Sequence, residues 1–215
     1  MKNGKRGLLS VASSDAGLTL VEVIAAVIVV VTVALASAGL GINGIKTAAA
    51  QERQQVAVTI ANGAMETVSS WDPSLNTVTK VSGLYAGRTS AAVSTSFTSN
   101  STVPGVSNTY PTFDSSATST STASIPISAT QTENGTNYTV WTLIGDCYQP
   151  VIGGTCSKIT GQATEPSTTP ANYALVVRII VVVSWTAGSS CSTNGCYYET
   201  TTMADPHSDL QWVSH

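Results

Sequence analysis

The chain has 215 residues, of which only 10% are charged, and its formal net charge is −3. This length suits one modest domain with an appendage rather than two full domains, because single domains usually take about 100 to 200 residues. So few charges exclude a basic nucleic-acid footprint and a charge-driven disordered tail.

The N-terminal segment consists of a short polar leader followed by a long apolar run. The run covers residues 18–45 and contains only a few polar residues and glycines. About 20 helical residues cross a bilayer core of roughly 30 Å, so a membrane helix is predicted here. Lys2, Lys5 and Arg6 precede it and no comparable basic cluster follows directly, which favours a cytoplasmic N-terminus. The rest of the chain is then expected outside the cytoplasm.

The junction between leader and helix reads GLTLVEV over residues 17–23. It closely resembles the processing site of type IV pilins and of the related secretion pseudopilins, although Leu18 stands where that family more often has Phe. In that family a membrane-embedded aspartyl peptidase cuts after the glycine and methylates the new terminal amine. The resemblance implies a cytoplasmic leader over residues 1–17, cleavage between Gly17 and Leu18, methylation of Leu18 and an assembly role for the carboxylate of Glu22.

Glu22 also has a physical role that does not depend on this resemblance. An acidic side chain carried to the bilayer centre costs up to roughly 2.5 to 3.5 kcal/mol, and such residues are usually functional. Cleavage creates a partner for it, because the new amine of Leu18 is a cation one helical turn away. In a filament, the carboxylate of one subunit meets the amine of its neighbour and sets the axial stagger. The alternative is that Glu22 lies among the lipid headgroups and reaches water.

A secretory signal with cleavage near residues 48–50 is the competing interpretation of the N-terminus. The apolar run begins directly after Gly17, which favours a cut at the glycine and leaves the helix on the mature protein.

The helix also offers a surface for packing between subunits. When the same contact between neighbouring subunits is repeated by a rotation that does not close into a ring, the product is an open helical fibre. The helix face suited to such packing comprises Leu20, Val23, Val27, Val30 and Ala34. Gly39, Gly41 and Gly44 mark either a stretch that bends on leaving lipid or a site of close helix packing.

The helix is expected to continue over residues 46–70 as an amphipathic segment and to end at Trp71 and Pro73. Val56, Ile60, Ala64 and Val68 share one face of it. The predicted fold class is therefore α+β, with a long N-terminal transmembrane and filament helix packed on a small antiparallel β-sheet head over residues 71–215. Pilins and pseudopilins share this plan.

Within the head, residues 89–136 are rich in Ser and Thr and are predicted to form loops, with an irregular edge sheet or a glycan-bearing surface as alternatives. Asn100, Asn134 and Asn137 match the glycosylation pattern. Residues 138–144 and 173–185 are predicted strands, the second in part buried on both faces, and residues 197–203 form a third that pairs with it as a hairpin. The run over residues 178–203 resembles the C-terminal sheet of minor pilins of the V type and pseudopilins of the I type.

Four cysteines in an exported domain predict disulfides. Three connectivities are possible. Sequential pairing of Cys147 with Cys156 and of Cys191 with Cys196 is favoured, because each pair brackets a glycine-containing turn. Each short closure stabilises the fold by roughly 2 to 3 kcal/mol in the chain-entropy model. A zinc site is not predicted, since CxxC ligand pairs are missing.

No pattern in the sequence predicts an enzyme, a catalytic residue, a cofactor or a metal site. A hydrolytic site using Asp205 and His207 is the weakest hypothesis, and His215 is the only other histidine. The four Trp residues, at 71, 141, 185 and 212, serve either sheet packing or an adhesive surface. DNA binding is not expected, because the head has only scattered basic residues.

The predicted function is that of a structural minor pilin, with a secretion pseudopilin or a membrane-anchored adhesion module as alternatives. Its implied partners are the prepilin peptidase, other pilin subunits, the inner-membrane assembly platform and, before assembly, membrane lipid. The expected location is the cytoplasmic membrane in a single pass and then an extracytoplasmic filament at the cell surface.

Overall fold

The computed structural model describes residues 19–71, 83–186, 191 and 195–206. The helices are α1 (Leu20–Ser69) and α2 (Ser90–Ser99), and the strands are β1 (Tyr110–Pro111), β2 (Ser128–Glu133), β3 (Thr136–Pro150), β4 (Tyr173–Trp185) and β5 (Cys196–Ala204). The chain divides into two compact units, one ending at Ala48 and the other beginning at Ala49. This is the α+β layout expected from the sequence.

The first unit is the N-terminal part of α1. Its described residues, 19–48, are all exposed, and the most apolar 18-residue window of the helix has a mean hydropathy of 2.7. By length and composition this helix is able to span a membrane. It ends at Ser69, close to the predicted end, and Pro73 lies outside the described residues.

The second unit is built on a five-stranded antiparallel sheet. The order is β1-β3-β4-β5, and β2 also pairs with β3. β3 and β4 are paired along their full common length, from Tyr138 opposite Trp185 to Pro150 opposite Tyr173. β2 and β3 are joined by Asn134 and Gly135, both at positive φ, as the tight two-residue hairpin turn requires.

The two faces of this sheet are covered by different helices. The outer part of α1 packs Ala57, Ile60 and Ala61 on one face, against side chains of β3 and β4. Val68 continues this contact towards Ile144. On the other face, α2 packs Val93 and Phe97 against the same two strands. The predicted face of the amphipathic segment is confirmed, since Ile60 and Val68 are buried and Val56 and Ala64 are partly buried.

The three predicted strands are confirmed. β4 has the predicted bounds, and its residues 177–183 are buried on both faces because both helices cover it. β3 is longer than predicted and continues six residues beyond Ile144. β5 is the outer partner of β4, as the predicted hairpin requires.

The prediction of loops over residues 89–136 is wrong for three segments, which are α2, the two-residue strand β1 and β2. Residues 90–99 form α2, which begins where the hydroxyl of Thr89 accepts a hydrogen bond from the backbone N–H of Ala92 at 3.4 Å. Val93 and Phe97 lie one helical turn apart and bury enough apolar surface to hold the helix on the sheet. Residues 128–133 form β2, an edge strand that is exposed throughout. For this segment the alternative prediction of an edge sheet is the correct one.

Candidate functional site

The start of α1 is the first candidate site. Thr19 precedes the helix, and its carbonyl accepts hydrogen bonds from the N–H groups of Glu22 at 3.0 Å and Val23 at 3.2 Å. Its hydroxyl also accepts from the Glu22 N–H, at 3.3 Å. Thr19 and Glu22 thus have the three-residue spacing of a capping box, which fixes where the first turn begins. Gly17 and Leu18 lie outside the described residues.

The part of α1 that follows, up to residue 48, is exposed and largely apolar. Leu20 is 77% exposed, and the side chains up to Ile45 are similarly open. The hydroxyls of Thr32 and Ser37 donate to carbonyls of their own helix, at 2.8 Å each. These polar groups are therefore satisfied without water, as a helix in lipid or in a filament core requires.

The three glycines at 39, 41 and 44 lie inside this helix, which is continuous through them. A Cβ added at any of the three would meet no atom within 4 Å.

The predicted sequential disulfides are present in the head. Cys147 pairs with Cys156 and Cys191 with Cys196, with Cα–Cα separations of 5.4 and 5.0 Å. The first closes a turn at the end of β3 whose tip, Ile152, is 97% exposed. Two disulfides in a small domain are typical of proteins that leave the cytoplasm.

Two buried arginines tie the loops of the head to its sheet. Arg88 is 0% exposed and donates from Nη1 to the carbonyl of Ile125 at 3.2 Å and from Nη2 to that of Thr142 at 2.6 Å. Burial lowers the pKa of Arg88 to about 10, so it remains a cation at neutral pH.

Arg178, in β4, is the second of these arginines. It donates from Nη1 to the carbonyl of Gly105 and the hydroxyl of Thr109, at 3.1 and 3.0 Å, and from Nη2 to the carbonyl of Cys156. Burial lowers its pKa. A single side chain therefore connects β4, the segment after α2 and the first disulfide.

A pair of carboxyl groups at the end of β3 is the third polar cluster. Asp146 is 7% exposed, and its Oδ1 accepts a hydrogen bond from the Tyr85 hydroxyl at 3.3 Å. The Tyr148 hydroxyl donates to Oε1 of Glu165 at 3.4 Å. Burial, followed by the charge of Asp146, raises the pKa of Glu165 to about 8, and burial also raises the pKa of Asp146.

No group of three or more His, Cys, Asp or Glu side chains able to hold a metal occurs among the described residues. The described part of the head contains Asp205 but neither His207 nor His215. The hydrolytic hypothesis therefore falls outside the described residues. Of the tryptophans, Trp185 is buried, Trp71 is exposed in part, and Trp212 also lies outside them.

No protein-family model, curated protein or solved structure significantly matches the chain. The resemblance to pilins that residues 17–23, the helix after them and residues 178–203 suggest therefore stays a prediction from the sequence.

The buried polar groups of the head are missing from the sequence-based predictions. Asp146 and Arg178 had one usable signal, because each is the only charged residue in its strand. Tyr85, Arg88 and Glu165 lie in segments without a regular pattern, and only the fold brings them to the strands.

Proposed function

We propose that this chain is a pilin-like structural subunit that is cut between Gly17 and Leu18 and enters a type IV pilus-type filament through α1. One observation carries the proposal: the GLTLVEV motif stands directly at the start of a 50-residue helix whose residues up to 48 are exposed and largely apolar. So long an apolar surface needs lipid before assembly and neighbouring subunits afterwards.

Glu22 is the only ionisable side chain between residues 20 and 45. Its charge in an apolar bundle requires a matching cation, and the amine that cleavage exposes at Leu18 is the nearest one that the chain provides. Between neighbouring subunits this pair favours a single axial offset. At any other offset the carboxylate of Glu22 would be buried without its cation, which costs free energy. Thr19 supports the arrangement by fixing the first turn.

The disulfides of the head also support a location outside the cytoplasm. Two disulfides are stable in an oxidising compartment, which is where the positive-inside rule directs the residues after the helix. The predicted path is therefore insertion into the cytoplasmic membrane, cleavage on the cytoplasmic side and extraction into the filament.

The N-terminus of the mature protein tests this proposal. Mass spectrometry of the chain expressed with a prepilin peptidase should find a methylated Leu18. Gly17→Val should block the cut, whereas the matched leader variant Gly7→Val should still be processed. An uncut Met1, or a start near Ala50, would exclude the prepilin route.

A further inference from the structure

The turn after β3 carries two aliphatic side chains at an exposed tip. Val151 is 71% exposed and Ile152 is 97% exposed. The turn is closed by the disulfide between Cys147 and Cys156, and the N–H of Val151 donates to the carbonyl of Asn172 at 2.9 Å. Gly, Pro, Asn, Asp and Ser dominate turns because of their backbone conformations and hydrogen bonds, and Val and Ile offer neither. The two side chains therefore form a fixed apolar knob on the head.

A groove of matching chemistry lies elsewhere on the head. It has a volume of about 420 Å³ and runs between the outer part of α1 and the strands β2 and β3. Ile60 and Ala64 of α1, Ile125, Ala129 of β2 and Val140 of β3 are among the residues that line it. All the described residues that line the groove are uncharged. An aliphatic group that enters it therefore leaves water without stripping a charge of its hydration.

The knob cannot enter the groove of its own chain. β3 is a continuous strand, and its end at Pro150 lies eight residues beyond Thr142, the groove residue nearest to that end in this strand. At roughly 3.4 Å per residue, the separation is about 27 Å. The turn that follows is closed at Cys156 and is too short to fold back over this distance. A knob that fills the groove must belong to another copy of the chain.

We propose that the knob of one copy inserts into the groove of the next copy. The contact is heterologous, because its two halves lie on different surfaces of the same chain, so every copy provides one knob and one groove. Repetition of such a contact by a rotation that does not close gives an open fibre rather than a dimer. The contact rests on the proposed function, because only a filament repeats it, and it adds the surfaces by which neighbouring heads meet.

The form of the knob favours this contact. Two aliphatic side chains leave water when it is buried. The turn is already closed by its disulfide, so little conformational freedom is lost on binding. The contact is small and adds to the packing of α1 rather than replacing it, since heads on subunits that α1 already holds together meet at a high effective concentration.

Charge substitutions on the two surfaces of the full chain test the contact, with incorporation into sheared filaments measured by immunoblotting. Ile152→Glu should lower incorporation at least about tenfold, because it places a carboxylate without a cation in an apolar groove. Ala129→Lys should act in the same direction, because the groove then holds an ammonium group without a carboxylate. Both positions are exposed, so the core of the head stays intact, and the amount of mature subunit in the membrane fraction checks this. Ser107→Glu adds a charge at an exposed position outside both surfaces and should be incorporated like the wild type.

The double variant identifies the partner of the knob. Ile152→Glu combined with Ala129→Lys should return incorporation to within about threefold of the wild type, since the two new charges meet between neighbouring copies. Thr130→Lys is the matched control for the groove. Thr130 follows Ala129 in β2, and successive side chains of a strand point to opposite faces, so Thr130→Lys should not rescue Ile152→Glu.

The outcomes separate the contact from the filament. Normal incorporation of Ile152→Glu, or equal rescue by Ala129→Lys and Thr130→Lys, would overturn the contact while the filament stands. A loss in Ile152→Glu that Ala129→Lys does not restore would also overturn it, because the knob would then bind lipid or a different protein. Absence of the wild type from sheared filaments would remove the proposed function, and the contact with it.

Discussion

At Gly145 the sheet permits only a hydrogen in place of a side chain. A Cβ built there would lie 2.1 Å from the carbonyl oxygen of Tyr110 and 2.8 Å from Cγ2 of Thr109. β1 pairs with β3 at this position, with Pro111 opposite Gly145. The hydroxyl of Tyr110, held close to β3, accepts a hydrogen bond from the N–H of Ile159 and donates one to the carbonyl of Gln162. One missing methyl group therefore allows β1 to pair with β3 at this position.

Gly145→Ala is expected to lower the free energy of unfolding of the head by at least about 2 kcal/mol, because the new Cβ displaces backbone rather than a flexible side chain. Gly63→Ala is the matched control. Its Cβ would meet nothing within 4 Å, and it lies inside α1, so a gain of up to about 1 kcal/mol is expected. Denaturant titrations of both variants in detergent, monitored by Trp fluorescence, measure the two free energies of unfolding. Equal stability of Gly145→Ala and the wild type would show that β1 moves away without cost.

At the scale of elements, apolar periodicity decided which parts of the fold were predictable. β4 has apolar residues on both faces, and its bounds and its double burial both follow from that pattern. α2 has only Val93 and Phe97 as large apolar residues among Ser, Thr and Ala, so its composition resembles that of a loop. Its helical form depends on the cap at Thr89 and on a sheet surface that other parts of the chain provide.

Phe97→Ala tests whether this contact holds α2 in place. Removal of a buried aromatic ring should cost about 3 to 5 kcal/mol, and α2 should lose its protection against hydrogen exchange before the strands do. Thr98→Ala, on the exposed face of the same helix, should change stability by less than about 0.5 kcal/mol. A similar effect of both substitutions would mean that α2 is held by its own propensity, which its composition does not favour.

At the scale of the whole molecule, the two units were predictable to different extents. The apolar helix and the motif before it are local, so the sequence alone predicts a membrane or filament segment and names Glu22. The polar clusters of the head depend on contacts between distant parts of the chain: Tyr85 lies 61 residues from its partner Asp146. Such contacts have no local pattern, and only the paired strands bring their residues together.

In the proposed function the charge of Glu22 acts between assembled copies, so its test belongs to the filament. Glu22→Ala should be inserted and cut normally, because the apolar run and Gly17 are intact, but its incorporation should fall at least about tenfold, as expected when a desolvated charge pair is broken. Glu66→Ala removes an exposed carboxylate from the same helix and should be incorporated like the wild type. Immunoblots of sheared filament and membrane fractions measure both, with the mature N-terminus checked in each. Normal incorporation of Glu22→Ala would remove the electrostatic pairing while leaving the processing site intact, and the apolar face of α1 alone would then have to set the stagger.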